Sequence, residues 1–264
     1  MTAATVPIIS CRDVTKTFGA LAAVKKLSFE VAEGETLGVG GPNGAGKTTL
    51  FDVISGMNPA TSGAIHFAGA DITRLSPERI CHRGVLRTFQ LNAGFDSLTV
   101  AETALAAAQF GRQDSLWPRL AFNAAARAAR DDALELAGLS GLKDAATETL
   151  PVFERKLLMI ASALAAEPKL LLLDEPAGGL TPKEIDQVID VVDAIKARRI
   201  TIILIEHVMR FLVRVSSKVM IMDHGEKIYE GPPEGLARDA AVVEVYLGAG
   251  AAAGLRSQFN GGDA

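Results

Sequence analysis

Residues 35–50 read ETLGVGGPNGAGKTTL, and this stretch decides how the rest of the chain is organised. A short apolar run, Thr36-Leu37-Gly38-Val39-Gly40, has strand character. It passes without a linker into Gly41-Pro42-Asn43-Gly44-Ala45-Gly46-Lys47-Thr48, which matches G-x-x-x-x-G-K-[ST] in the strand-then-helix context the pattern requires. Glycines let the backbone wrap so that successive N–H groups point inward, and the following helix adds its positive N-terminal end, so the loop is expected to cradle β- and γ-phosphates. Lys47 adds a formal charge, and Thr48 offers a hydroxyl to a Mg²⁺ ion that bridges phosphate oxygens. The competing reading is a Gly-rich turn followed by an accidental lysine. The flanking strand and helix patterns argue against it.

Working outward, the 264 residues carry 48% apolar and 22% charged side chains, a globular usage with enough chain for a substantial core. The net charge of −4 excludes the basic stripe that phosphate-backbone binding needs, so no nucleic-acid partner is expected. The longest nearly apolar stretch, residues 157–166, is far short of the ~20 residues that cross a bilayer. The opening MTAATVPIIS has no basic n-region. A chain that neither spans a membrane by itself nor is exported is the expectation. Cys11 and Cys81 supply neither a disulfide framework nor metal-ligand spacing, which suits a reducing cytoplasm.

Short apolar runs bounded by turn residues alternate with helical patterns, which predicts a mainly parallel sheet covered by helices. The clearest strands are residues 36–40, 170–173 and 201–205. Residues 8–31 and 63–69 read as a strand-rich, antiparallel meander. Between about 92 and 166 the composition shifts to Ala, Leu and Arg, with helical periodicity in 101–110 and 121–137, which predicts an all-helical insert. Thr181-Pro182-Lys183-Glu184 combines an N-cap Thr, a Pro at the first helical position and a Glu three residues after the cap, and predicts a helix ending near Ala197. One domain over residues 7–247 is expected, with residues 248–264 a flexible Gly/Ala tail.

The run Lys169-Leu170-Leu171-Leu172-Leu173-Asp174-Glu175 is a buried strand ending in two carboxylates, where a parallel sheet delivers groups to a ligand. Asp174 is expected in the Mg²⁺ shell and Glu175 as general base for the attacking water. Many strands end in an acidic turn, so this run draws its weight from the phosphate loop. His207 follows the strand 201–205 and Glu206, and a parallel neighbour would bring it to the same sheet edge, where it could read the γ-phosphate. His66, His82 and His224 read as ordinary surface or core residues.

Four stretches in this order, GPNGAGKTTL, RTFQ ending at Gln90, LLLLDEP, and ILIEH ending at His207, resemble the ATP-binding-cassette (ABC) ATPases over nearly the whole chain. The phrases LRTFQ, LLLLDEPAGGLTPKE, ILIEHVMRFL and VVEVYLG look most like the longer ATPase subunit of branched-chain-amino-acid-type importers. The resemblance implies a P-loop NTPase core with an N-terminal antiparallel β subdomain and an inserted α-helical subdomain. It implies that Phe18 stacks on adenine with Val24 beside it. Nucleotide contacts would run from Gly41 to Thr49, Gln90 would link the metal site to a membrane partner, and His207 would be the switch histidine. The implied partners are a second ATPase subunit, identical or a paralogue, transmembrane permease subunits, and indirectly a periplasmic or extracellular substrate-binding protein. The implied location is peripheral, on the cytoplasmic face of the membrane.

The resemblance also has a departure. In the family, two ATPase subunits close head to tail, and each completes the other's site with a signature loop, commonly Leu-Ser-Gly-Gly-Gln. The aligned segment here is Leu150-Pro151-Val152-Phe153-Glu154, without the serine hydroxyl or either glycine. Thr181 stands where many relatives carry an Asp. A tolerated variant and a weakened half-site both remain open at this point. The implied activity is ATP hydrolysis coupled to transport, with a soluble nucleotide switch of weak ATPase activity as the alternative.

Overall fold

The computed structural model describes residues 7–88, 97–111 and 124–247. In chain order these form β1 (Pro7–Phe18), β2 (Leu21–Ala32), β3 (Thr36–Gly40), α1 (Lys47–Ile54), β4 (Ser62–Phe67) and β5 (Ala70–Asp71). There follow α2 (Pro77–His82), β6 (Val85–Arg87), α3 (Val100–Phe110), α4 (Ala124–Leu136), α5 (Val152–Ala165) and β7 (Leu170–Asp174). The last elements are α6 (Pro182–Ala197), β8 (Thr201–Ile205), α7 (Met209–Val215), β9 (Lys218–Asp223), β10 (Glu226–Gly231) and α8 (Ala240–Leu247). The described residues group into two compact units, residues 7–74 with 203–247, and those between 75 and 202. The expected tail lies outside the described residues.

The first unit contains an antiparallel sheet in the order β2-β1-β4-β5. In β2 the period of two is plain: Leu27, Phe29 and Val31 are buried while Lys26, Ser28 and Glu30 face out. Ile9 and Cys11 of β1 pair with Phe67 and Ile65 of β4, and all four are buried. The strand-rich meander read from residues 8–31 and 63–69 is this sheet. Enclosed there, the Cys11 thiol is pushed far up by burial and stays a protonated core group. The same unit places β9 parallel to β3 and β10 antiparallel to β9, in the order β10-β9-β3-β8. All five residues of β3 and of β8 are buried, as expected for strands covered on both faces. Helix α7 packs on β3 through its apolar face, Phe211, Leu212 and Val215.

In the second unit β6 runs parallel to β7, with Val85, Leu86 and Arg87 opposite Leu170, Leu171 and Leu172. The helical block expected for 92–166 contains α3, α4 and α5, which pack on one another; residues 92–96 and 112–123 lie outside the described residues. Helix α5 buries Leu157, Leu158, Ile160, Ala161 and Leu164, a helical spacing. Each such leucine contributes about 1.5–3 kcal/mol, more than any propensity difference along the helix. Helix α6 starts as its capping box predicts: Thr181 Oγ1 accepts from the Glu184 N–H and the Glu184 carboxylate accepts from the Thr181 N–H. No described helix is long and apolar enough to cross a membrane.

Candidate functional site

The phosphate loop connects β3 to α1 in the first unit. Gly46 is the N-cap of α1 at φ +97°, and no side chain caps that helix end. A β-carbon on Gly46 would come 2.1 Å from the Ala23 carbonyl oxygen, and one on Gly41 would come 2.2 Å from that of Met222. Both positions therefore require glycine on grounds of contact as well as dihedral. The first turn of α1 holds no acidic residue, so its N–H groups and the positive helix end suit an anion. Pro42, Asn43 and Gly44 form the bend, closed by the Ala45 N–H donating to the Pro42 carbonyl at 3.2 Å. Lys47 is 8% exposed and its Nζ donates to the Gly41 and Pro42 carbonyls at 2.7 and 2.9 Å. Thr48 and Thr49 follow it on the first turn of α1.

Phe18 ends β1 and is 48% exposed, with Lys16 Nζ 5.0 Å from its ring centroid. Val24 is fully buried and stands opposite Lys16 in the β1–β2 register. His207 follows β8 with its side chain 54% exposed. The residue before it, Glu206, is wholly buried. Its carboxylate accepts from the backbone N–H groups of His207 and Val208 at 3.0 and 3.2 Å, and the Glu206 N–H donates to the Val39 carbonyl.

The second unit holds the carboxylates. Asp174 is the last residue of β7, fixed by its N–H donating to Thr88 Oγ1 at 3.1 Å, while the Thr88 N–H donates to the Leu172 carbonyl. One carboxylate oxygen, Oδ2, accepts from Arg87 Nη2 at 2.8 Å. The other, Oδ1, is buried with no hydrogen-bond partner among the described residues. A buried carboxylate oxygen left unpaired is costly, and a hard cation is what such an oxygen fits. Glu175 adopts φ +48°, uncommon for a residue with a β-carbon. Its carbonyl accepts from Lys156 Nζ at 2.7 Å and from the Gly178 N–H at 3.2 Å. Gln90 lies outside the described residues.

Leu150 to Glu154 lead into α5. Leu150 is buried, Pro151 is the N-cap without a side-chain cap, Val152 is 50% exposed, and Glu154 is the first-turn acid. Arg155 braces this segment by donating from Nε to the Leu150 carbonyl at 2.8 Å and from Nη2 to the Glu148 carbonyl. The segment is thus held by an arginine fork and a proline in place of glycines. Arg87, Lys156, Arg155 and Glu206 were not singled out from the sequence. Only Arg87 leaves a local sign, as the cation that opens the phrase RTFQ directly after the apolar Val85 and Leu86.

A glycine-lined phosphate loop on a strand-to-helix turn in the first unit, and in the second a buried strand ending at Asp174 with Glu175 just after it, are the elements of a nucleotide-binding cassette. A family model described as ABC transporter matches residues 24–178. The chain is 32% identical over 250 residues to the high-affinity branched-chain amino acid transport ATP-binding protein BraF of Pseudomonas aeruginosa, covering 92% of this chain and 98% of that one. It is 31% identical, with the same coverages, to LivG of Escherichia coli K12, described in the same words. Among solved structures, the ADP conformation of an ATP-binding cassette of an ABC transporter superposes with a TM-score of 0.82 at 30% identity, over 92% of this chain and all of the other. The chain belongs to the ABC transporter family, as its ATP-binding, ATP-hydrolysing subunit.

Proposed function

We propose that this ATPase drives an importer for branched-chain or related amino acids, working as one domain over residues 7–247, bound through permease subunits to the cytoplasmic face of a membrane. The observation that carries this reading is similarity over 92% of the chain to branched-chain amino acid transport ATP-binding proteins. In this reading Gly41 to Thr49 hold the phosphates of ATP, and Lys47 turns from the Gly41 and Pro42 carbonyls toward them. Phe18 receives the adenine face, with Val24 backing the hairpin. Thr48, Asp174 and Gln90 would hold Mg²⁺, which would supply charge neutralisation at the phosphates. Glu175 takes the proton of the attacking water and His207 senses the γ-phosphate. Two cassettes close around ATP, and hydrolysis reopens them, so that work derives from the different nucleotide affinities of the two states.

The test is purification of the complex and uptake of labelled leucine into vesicles. Co-purification with a multi-span membrane protein and ATP-dependent uptake are expected. Isolation without any membrane subunit would favour the second reading, a soluble nucleotide switch, which the proline and bulky side chains at Pro151, Val152 and Phe153 support.

A further inference from the structure

We propose that Lys156 is a positioning residue for Glu175, linking the segment offered to the partner cassette with the base of this chain's own site. The inference rests on the reading of Glu175 as base. Glu175 stands at φ +48° immediately before Pro176. A β-carbon disfavours that dihedral, and a following proline narrows the choices of the residue before it. A conformation of this kind persists only where the surroundings fix it. Among the described residues, donors on the Glu175 carbonyl contribute to this: the Gly178 N–H from the ensuing turn at 3.2 Å and Lys156 Nζ at 2.7 Å. The first is local and travels with the turn. The second comes from α5, a helix that also packs on β7.

Lys156 lies two residues beyond Glu154, in the second turn of the helix whose first residue is Val152. A half-buried ammonium on a four-carbon stem makes a hydrogen bond to a carbonyl that depends on where the helix backbone sits. When contact at residues 150–154 shifts or tightens the start of α5, the Glu175 carbonyl, and with it the side-chain direction of Glu175, responds. The half-site given away and the base kept are therefore joined through the Lys156 side chain.

The experiment compares Lys156→Met, Lys156→Arg, Glu175→Gln and the Lys156→Met/Glu175→Gln double variant, in the complex that hydrolyses ATP. Lys156→Met is expected to lower kcat by on the order of tenfold or more, as for a displaced catalytic group, with KM for ATP and binding of a fluorescent ATP analogue unchanged. Lys156→Arg, which keeps a donor, is expected to recover much of the loss. In the Glu175→Gln background Lys156→Met is expected to cost nothing further, because the group it positions is gone. A wild-type kcat in Lys156→Met with Glu175→Gln inactive overturns the proposal alone. So does an equal loss from Lys156→Met in both backgrounds. Normal turnover by Glu175→Gln overturns the base assignment and this inference with it. Should Lys156→Met fail to bind the analogue, Lys156→Gln takes its place on the same criteria.

Discussion

Arg87 and Asp174 form an ion pair at 2.8 Å, with side chains 7% and 3% exposed. They are 87 residues apart in sequence, joined because β6 and β7 run side by side in the second unit. Pairs this deep are weak evidence for stability when intact, but breaking one strands a buried charge. Arg87→Met is therefore expected to cost about 3–5 kcal/mol. The readout is a fall in Tm on the order of 10 °C by calorimetry without nucleotide. Replacing both partners, Arg87→Met with Asp174→Leu, is expected to recover most of that stability and still to leave ATP hydrolysis abolished. Stability as low in the double variant as in the single one would show that the pair is not the source of the loss.

Lys47 predicts a different separation. Its ammonium rests on two loop carbonyls, so Lys47→Ala removes the charge proposed to meet phosphate and leaves the loop glycines as they are. ATP affinity is expected to fall at least about tenfold, or ~1.4 kcal/mol, with little change in Tm. Gly46→Ala is expected to do the reverse in part, lowering both, since its new β-carbon meets the Ala23 carbonyl at 2.1 Å. Titration with a fluorescent ATP analogue beside a thermal melt reads both quantities.

The start of α6 carries a pH dependence. Thr181 hydrogen bonds hold the Glu184 carboxyl below its ordinary range, through the side chain first and the backbone second. A carboxylate depressed in the folded state contributes stability above its unfolded pKa and loses that contribution as pH falls through the folded value. Glu184→Gln is therefore expected to melt lower than wild type near pH 7 and to converge on it as the solution is acidified toward pH 3. A gap that persists at low pH would contradict the assignment. Thr181→Ala, which removes the cap itself, is expected to cost about 1 kcal/mol.

With a paralogue as partner, the segment Leu150 to Glu154 predicts unequal sites. This chain keeps Lys47, Asp174 and Glu175, while the partner's nucleotide would meet Pro151, which has no N–H to give. Glu175→Gln here is expected to abolish more of the complex's ATP turnover than the matching change in the partner. Equal losses would mark the segment as a working variant of the signature.

Much of the fold was legible because its causes are local. The phosphate loop is spelled out over a few consecutive residues, the α6 capping box over four, and the alternation of Leu27, Phe29 and Val31 along one strand. Asp174 and Glu175 could be placed at a strand end because the leucine run before them fixes where the strand is. What could not be read depends on partners far along the chain. Nothing near Lys156 announces a bond to the Glu175 carbonyl. Nothing in Leu150 to Glu154 shows that Arg155 would brace the segment in place of glycines. Glu206 looked like a spacer before His207, and its burial becomes visible only once Val39 lies beside it. The exposure of Phe18 and the burial of Val24 likewise follow from how β1 and β2 pair, which the residue types alone did not fix.

Glu206 fixes more than its own place. With its carboxylate on the backbone N–H groups of His207 and Val208 and its own N–H on Val39, it immobilises the main chain at a position whose imidazole stays half open to solvent. Rotation of the His207 side chain is the movement that this anchoring leaves open, and an exposed rotamer changes within picoseconds to nanoseconds. If His207 reads the γ-phosphate as proposed, that response would follow the arrival of phosphate almost at once, and any delay before transport would belong to slower movements of larger parts.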